Sequence, residues 1–153
     1  MSNTSTNTGE RLVLCRTYNA KRDRVWKAWT DKNELMAWHA PEGMSVAEYS
    51  VDLRVGGAFR LAMLQPSGET YIAKGVYREI TPPEKLSYTW IWEEDTPQEE
   101  HETLLTIEFN DLGEETEVVL THENLASAES RDRHTEGWNQ ILGSLTAYLE
   151  PAR

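Results

Sequence analysis

Four histidines, one cysteine and a set of indole and phenol rings are the side chains of this 153-residue chain best placed to do chemistry. His122 follows Val118 and Leu120 at alternate positions, so a strand there turns its ring to the same side as those apolar residues. An inward imidazole can orient a bound molecule through a hydrogen bond, or act as a general base where a substrate proton comes within about 3 Å. The orienting or purely structural role needs fewer partners and is the one expected. His39, His101 and His134 lie far from it and from one another, and none is spaced with Cys15 as metal ligands are, so no metal is expected. The chain has no serine elbow, no reactive-cysteine setting and no cofactor motif. No catalytic residue and no cofactor are therefore assigned.

The rings point instead to binding. Tyr88, Trp90 and Trp92 alternate along one stretch, and Trp138 opens an apolar stripe that continues through Ile141 and Leu142. Phe59, Leu61 and Met63 alternate on another stretch, with Trp38 and Tyr77 nearby in the pattern. Together with His122 these residues form the candidate lining of an internal pocket for a hydrophobic or amphipathic small molecule. The same pattern also describes an ordinary aromatic core, because apolar spacing does not separate filled from empty space.

These residues need elements to position them. Leu12, Leu14 and Tyr18 alternate between Arg11 and Asn19, the signature of a half-buried strand. Val25, Trp26, Trp29, Leu35, Met36 and Trp38 then fall at steps of three and four, predicting two short helices with Asp31 capping the break. Trp26 and Trp29 are expected to bury against the sheet rather than form an outward patch. Strands follow at about 45–52, 58–64, 71–80, 85–92, 102–109 and 116–122, separated by Gly56-Gly57, Pro66-Ser67-Gly68, Thr81-Pro82-Pro83, an acidic run near 93–100 and Asn110 to Gly113. Such short links imply antiparallel neighbours. Residues 127–149 carry Trp138, Ile141, Leu142, Leu145 and Leu149 on one helical face. Within it, Gly137 is expected to mark a close approach of helix to sheet. Gly56-Gly57 beside Arg54 lacks the sequel of a phosphate loop and reads as a tight turn or bulge. The expected fold class is α+β: a curved antiparallel sheet of six to seven strands around a long C-terminal helix.

Composition limits the partners. Twenty-six acidic against fifteen basic side chains give a formal charge of −11, which repels phosphate backbones and anionic lipid, so nucleic acid is not expected. No apolar run reaches the ~20 residues of a membrane span, and a lone cysteine suits the cytoplasm. Met1 to Gly9, rich in Ser, Thr and Asn, read as a disordered tail, and 10–153 as one domain. Glu93, Glu94, Asp95, Glu99, Glu100 and Glu102 read as a solvated hairpin tip.

The element order resembles the helix-grip fold of the START-like superfamily. Val25 to Asp31 with Leu35 to Trp38, then Asp52-Leu53-Arg54-Val55-Gly56-Gly57-Ala58-Phe59-Arg60, resemble the branch related to the C-terminal domain of the activator of heat-shock protein 90 ATPase. Gly75 to Leu86 and Glu136-Gly137-Trp138 are similar to further signatures of that branch, and the likeness spans about 10–149. The resemblance implies a domain that binds hydrophobic ligands, cyclises polyketides or contacts a chaperone. The eukaryotic co-chaperone has a separate N-terminal chaperone-binding domain, for which this sequence leaves no room. Small-molecule binding is thus the leading expectation. A chaperone partner, a second copy of the chain, or a cofactor-free cyclase or hydrolase using the same pocket are the alternatives.

Overall fold

The computed structural model describes residues 9–150. Apart from Gly9, the expected disordered tail lies outside the described residues. Strand β1 (Glu10–Tyr18) leads into helices α1 (Arg22–Thr30) and α2 (Lys32–Trp38). Six strands follow: β2 (Ser45–Val51), β3 (Ala58–Leu64), β4 (Thr70–Thr81), β5 (Lys85–Trp92), β6 (Glu102–Asp111) and β7 (Thr116–Leu125). Helix α3 (Ala128–Leu149) closes the chain. The expected boundaries move little, except that β7 continues past His122 to Leu125 and a 3-10 turn forms at Pro97–Glu99.

The seven strands form one antiparallel sheet in the order β1-β7-β6-β5-β4-β3-β2. Consecutive hairpins account for β2 to β7, while β1 returns to pair with β7, so the α1–α2 segment carries the chain from one edge of the sheet to the other. Asp31 makes the break between these helices as its sequence position implied: its carboxylate accepts the backbone N–H groups of Asn33 and Glu34, satisfying donors that α2 leaves free.

Curvature comes from irregular pairing. Register shifts occur between Glu10 and Leu12, between Val46 and Glu48, and between Tyr77 and Glu79, and each extra residue bends its strand. Gly75 makes one bend feasible, since a Cβ there would stand 1.9 Å from the Thr89 carbonyl oxygen. Gly56, at φ +87°, and Gly57, where a Cβ would stand 2.1 Å from the Asp52 carbonyl oxygen, make the tight turn expected of them.

On the concave face, Leu61, Leu86, Leu105, Ile107 and Leu120 are fully buried beneath the helices. Trp29 is buried with its ring 4.8 Å from that of Trp38, and Trp26 packs edge-on to Phe109 at 5.3 Å, so neither forms an outward patch. The second half of α3 is fastened to the sheet: Tyr18 Oη donates to the Leu142 carbonyl at 2.9 Å, and Leu142 and Leu145 are buried. The first half is held through two rings, Trp138 on His122 and His134 on Trp92, and a space remains beside it.

Candidate functional site

That space is a cleft of about 760 Å³, open to solvent on one side. Its inner wall is Met63 from β3, Trp90 from β5, and Trp138 and Ile141 from α3. Tyr71, Trp92 and the segment carrying Glu93, Glu94, Asp95 and Glu99 border it on the sheet side, with Ser130, Arg133, His134 and Gly137 on the helix side. This is the volume of a small-molecule site; rings and apolar side chains make its inner wall, and charged and polar side chains, His101 and Thr103 among them, make much of the rest.

Gly137 corrects an expectation. A Cβ built there meets nothing within 4 Å, so this glycine marks no close approach of helix to sheet; it lies in the cleft wall, where the missing side chain leaves the cleft wider.

The candidate residues separate into two groups. Met63, Trp90, Trp92, Trp138 and Ile141 stand on the wall of the cleft. Trp38, Phe59, Leu61, Tyr77, Tyr88, His122 and Leu142 are buried in the packing behind it. Phe59 lies 5.1 Å from Tyr88 and 5.9 Å from Trp90, so the packed rings back the inner wall and fix the ring that faces the space.

His122 turns inward, as its strand phase required, and is wholly buried. Its tautomer follows from its partners. Trp138 Nε1–H donates to Nδ1 at 3.0 Å, so Nδ1 is an acceptor and the proton sits on Nε2. Nε2–H donates to Thr103 Oγ1 at 2.7 Å, and that hydroxyl donates to the Trp90 carbonyl at 2.6 Å. The chain thus joins α3, β7, β6 and β5. Burial first, and then the nearby His134, push the His122 pKa down to about 3.

A second indole–imidazole pair stands closer to the mouth. Trp92 Nε1–H donates to His134 Nε2 at 2.9 Å, and His134 Nδ1–H donates to the Ser130 carbonyl at 2.7 Å. Burial is the main influence lowering the pKa of His134, with Arg133 adding to it against the Ser130 carbonyl. The His122 and His134 rings are 5.0 Å apart. Because both nitrogens of each imidazole are engaged, neither ring offers the free lone pair that a general base needs.

His134 has a sequence signal that went unused: it precedes Trp138 by four residues, which puts both on one helix face. His39 has none. It is wholly buried among Trp29, Trp38, Tyr49, Trp90 and Trp138, with Nδ1 3.2 Å from Tyr49 Oη. Burial pushes its pKa down to about 3 as well. Two ring nitrogens near the inner wall, Trp90 Nε1 and His39 Nε2, are buried without a protein partner. Glu100 is half-buried against Lys74 Nζ at 3.1 Å, while the rest of the acidic run is exposed, and Glu93, Glu94, Asp95 and Glu99 also border the mouth of the cleft. Among the described residues no three His, Cys, Asp or Glu side chains are arranged to hold a metal ion, and no helix is long and apolar enough to cross a membrane.

Comparison with known proteins accords with this architecture. A family model described as Activator of Hsp90 ATPase homolog 1-like protein matches residues 19–150. The chain is similar to a solved protein of Chromobacterium violaceum at 28% identity and a TM-score of 0.82, covering 94% of this chain and 99% of that one. It is also similar to a solved AHSA1 protein of Silicibacter pomeroyi at 26% identity and a TM-score of 0.84, covering 92% and 97% respectively. A solution structure from Arthrobacter aurescens, at 20% identity and a TM-score of 0.83, shares the fold. No curated protein matches.

Proposed function

Because the chain belongs to the Activator of Hsp90 ATPase homolog 1-like family, whose fold commonly serves ligand binding, we propose that it is a binding module for a hydrophobic or amphipathic small molecule. In this reading one helix-grip domain in the cytoplasm takes the ligand into the cleft between α3 and strands β3 to β5. The observation that carries it is the cleft itself: about 760 Å³ walled by Trp90, Trp92 and Trp138.

The test is thermal unfolding of the delipidated protein against a panel of fatty acids, sterols, flavonoids and polyketide-like aromatics. A ligand present at ~100 times its Kd stabilises the folded state by about 2.7 kcal/mol. The control is Gly137→Leu, which fills the cleft from a position where nothing is crowded. A saturable shift that Gly137→Leu abolishes is the expected result. A shift that survives in Gly137→Leu, or none across chemically diverse probes, removes the cleft as the site.

The family's name carries a second reading, contact with the Hsp90 ATPase. The observation in its favour is the pair Leu53 and Val55 on the β2–β3 turn, 42% and 63% exposed. Hsp90 ATPase rates should then rise with added protein and fall back with Val55→Asp; an unchanged rate at micromolar protein rejects this reading.

A further inference from the structure

We propose that the cleft selects a cationic amphiphile, an aromatic or apolar body with an ammonium group at its mouth. This rests on the binding reading above and adds the chemistry of the ligand.

The mouth is the first ground. Glu93, Glu94, Asp95 and Glu99 border the cleft, and Arg133 is the one lysine or arginine among its described wall residues. The charges do not cancel locally. Glu93 is held by Arg60 at 3.1 Å, and Arg133 pairs with Glu129 at 3.3 Å outside the wall. Glu99 accepts from Thr96 within its own turn. Glu94 and Asp95 have no cationic partner among the described residues. A formal charge of −11 on the whole chain adds to the attraction for cations.

The second ground is aromatic. Tyr71, 47% exposed, and Trp92 border the same mouth. Ring faces beside uncompensated carboxylates are the surroundings that favour an ammonium group, through cation–π attraction and direct charge pairing. An anionic head would meet the carboxylates at the mouth. Placed at the inner end instead, it would find no lysine or arginine among Met63, Trp90, Trp138 and Ile141.

The third ground is independent of charge. Trp90 is 2% exposed, contributes to the inner wall, and its Nε1–H meets no protein acceptor. The other two indoles of the wall are satisfied: Trp92 donates to His134 and Trp138 to His122. Because the Trp90 N–H is itself sealed within the packing, none of the three indoles offers a donor to the cleft, and the inner end calls for an apolar or aromatic body. His134 on the wall and His122 behind it have both ring nitrogens committed within the protein, and His101, also on the wall, meets the Asn124 carbonyl through Nε2 at 2.6 Å.

The experiment compares probes that share a 6-acetylnaphthalene body and differ in the head at the end of a short alkyl ether: trimethylammonium, hydroxyl or carboxylate. Affinity is read from naphthyl ketone fluorescence. The ammonium probe should bind at least about tenfold more tightly than the carboxylate at low salt, with the alcohol between, and the gap should shrink at ~0.5 M salt. In the double variant Glu94→Gln, Asp95→Asn, altered only at exposed positions, the ammonium preference should fall most of the way to unity while the alcohol's affinity holds. Equal affinity for the three heads, or tightest binding of the carboxylate, overturns the selectivity and leaves the binding module standing. Absence of saturable binding by every probe overturns both.

Discussion

Acidifying the protein from pH 7.5 to 5.0 should lower its folding stability by about 4 kcal/mol, through His39 and His122 acting as two equal contributors. Both are wholly buried, and burial holds both pKa values down to about 3. In the unfolded chain each returns to about 6.5. Between these values the unfolded state binds two more protons than the folded one. Stability is therefore highest above pH ~6.5 and falls as pH drops towards the folded values. Each histidine contributes about 1.4 kcal/mol per pH unit once pH is well below 6.5, or about 2 kcal/mol at pH 5. That result holds for any folded pKa below about 4. For His122 the hydrogen bonds give a direct reason: a proton added at Nδ1 would face the Trp138 indole N–H, donor against donor. Urea unfolding followed by tryptophan fluorescence at several pH values gives the slope. Wild type should lose about 2.4 kcal/mol per unit between pH 6 and 5, and His39→Gln and His122→Gln about half that each. Carboxylate titration and the smaller contribution of the partly buried His134 are shared by all three proteins and cancel in the difference. Equal slopes for wild type and both variants would refute the reasoning, because they would mean that neither histidine is kept neutral by the fold.

Three further outcomes follow from local geometry. Gly75→Ala should destabilise by about 3 kcal/mol or prevent folding, since its Cβ would overlap the Thr89 carbonyl oxygen; chemical denaturation measures it, and a change below about 0.5 kcal/mol would show that the β4–β5 bend does not need glycine. Gly137→Ala should stabilise by up to about 1 kcal/mol, because a helix-interior glycine is replaced where nothing is crowded, and its melting temperature should rise. Thr103→Val should cost about 1–3 kcal/mol by leaving the His122 N–H and the Trp90 carbonyl without their shared hydroxyl, whereas Thr103→Ser should recover most of the loss.

Local chemistry made much of the fold legible in the sequence. Alternation in β1, the cap at Asp31 and the stripe from Trp138 to Leu149 are statements about which side of an element a residue occupies, and the backbone repeat decides that within a few residues. The inward ring of His122 belongs to the same class. What sits above a given side is another matter. Phe59, Tyr88 and Trp90 belong to the same aromatic face, yet only Trp90 borders the cleft, because the gap between α3 and the sheet depends on where bulges bend the strands and where the helix is fastened. Gly137 reads as a contact point in sequence and proves to be open space for the same reason. Trp92 and His134 stand 42 residues apart and meet only once the sheet has formed, and His39 is buried by rings from five separate elements. Periodicity assigned these side chains to faces; the distance between the faces, and so which of them reach the cleft, was decided by tertiary packing.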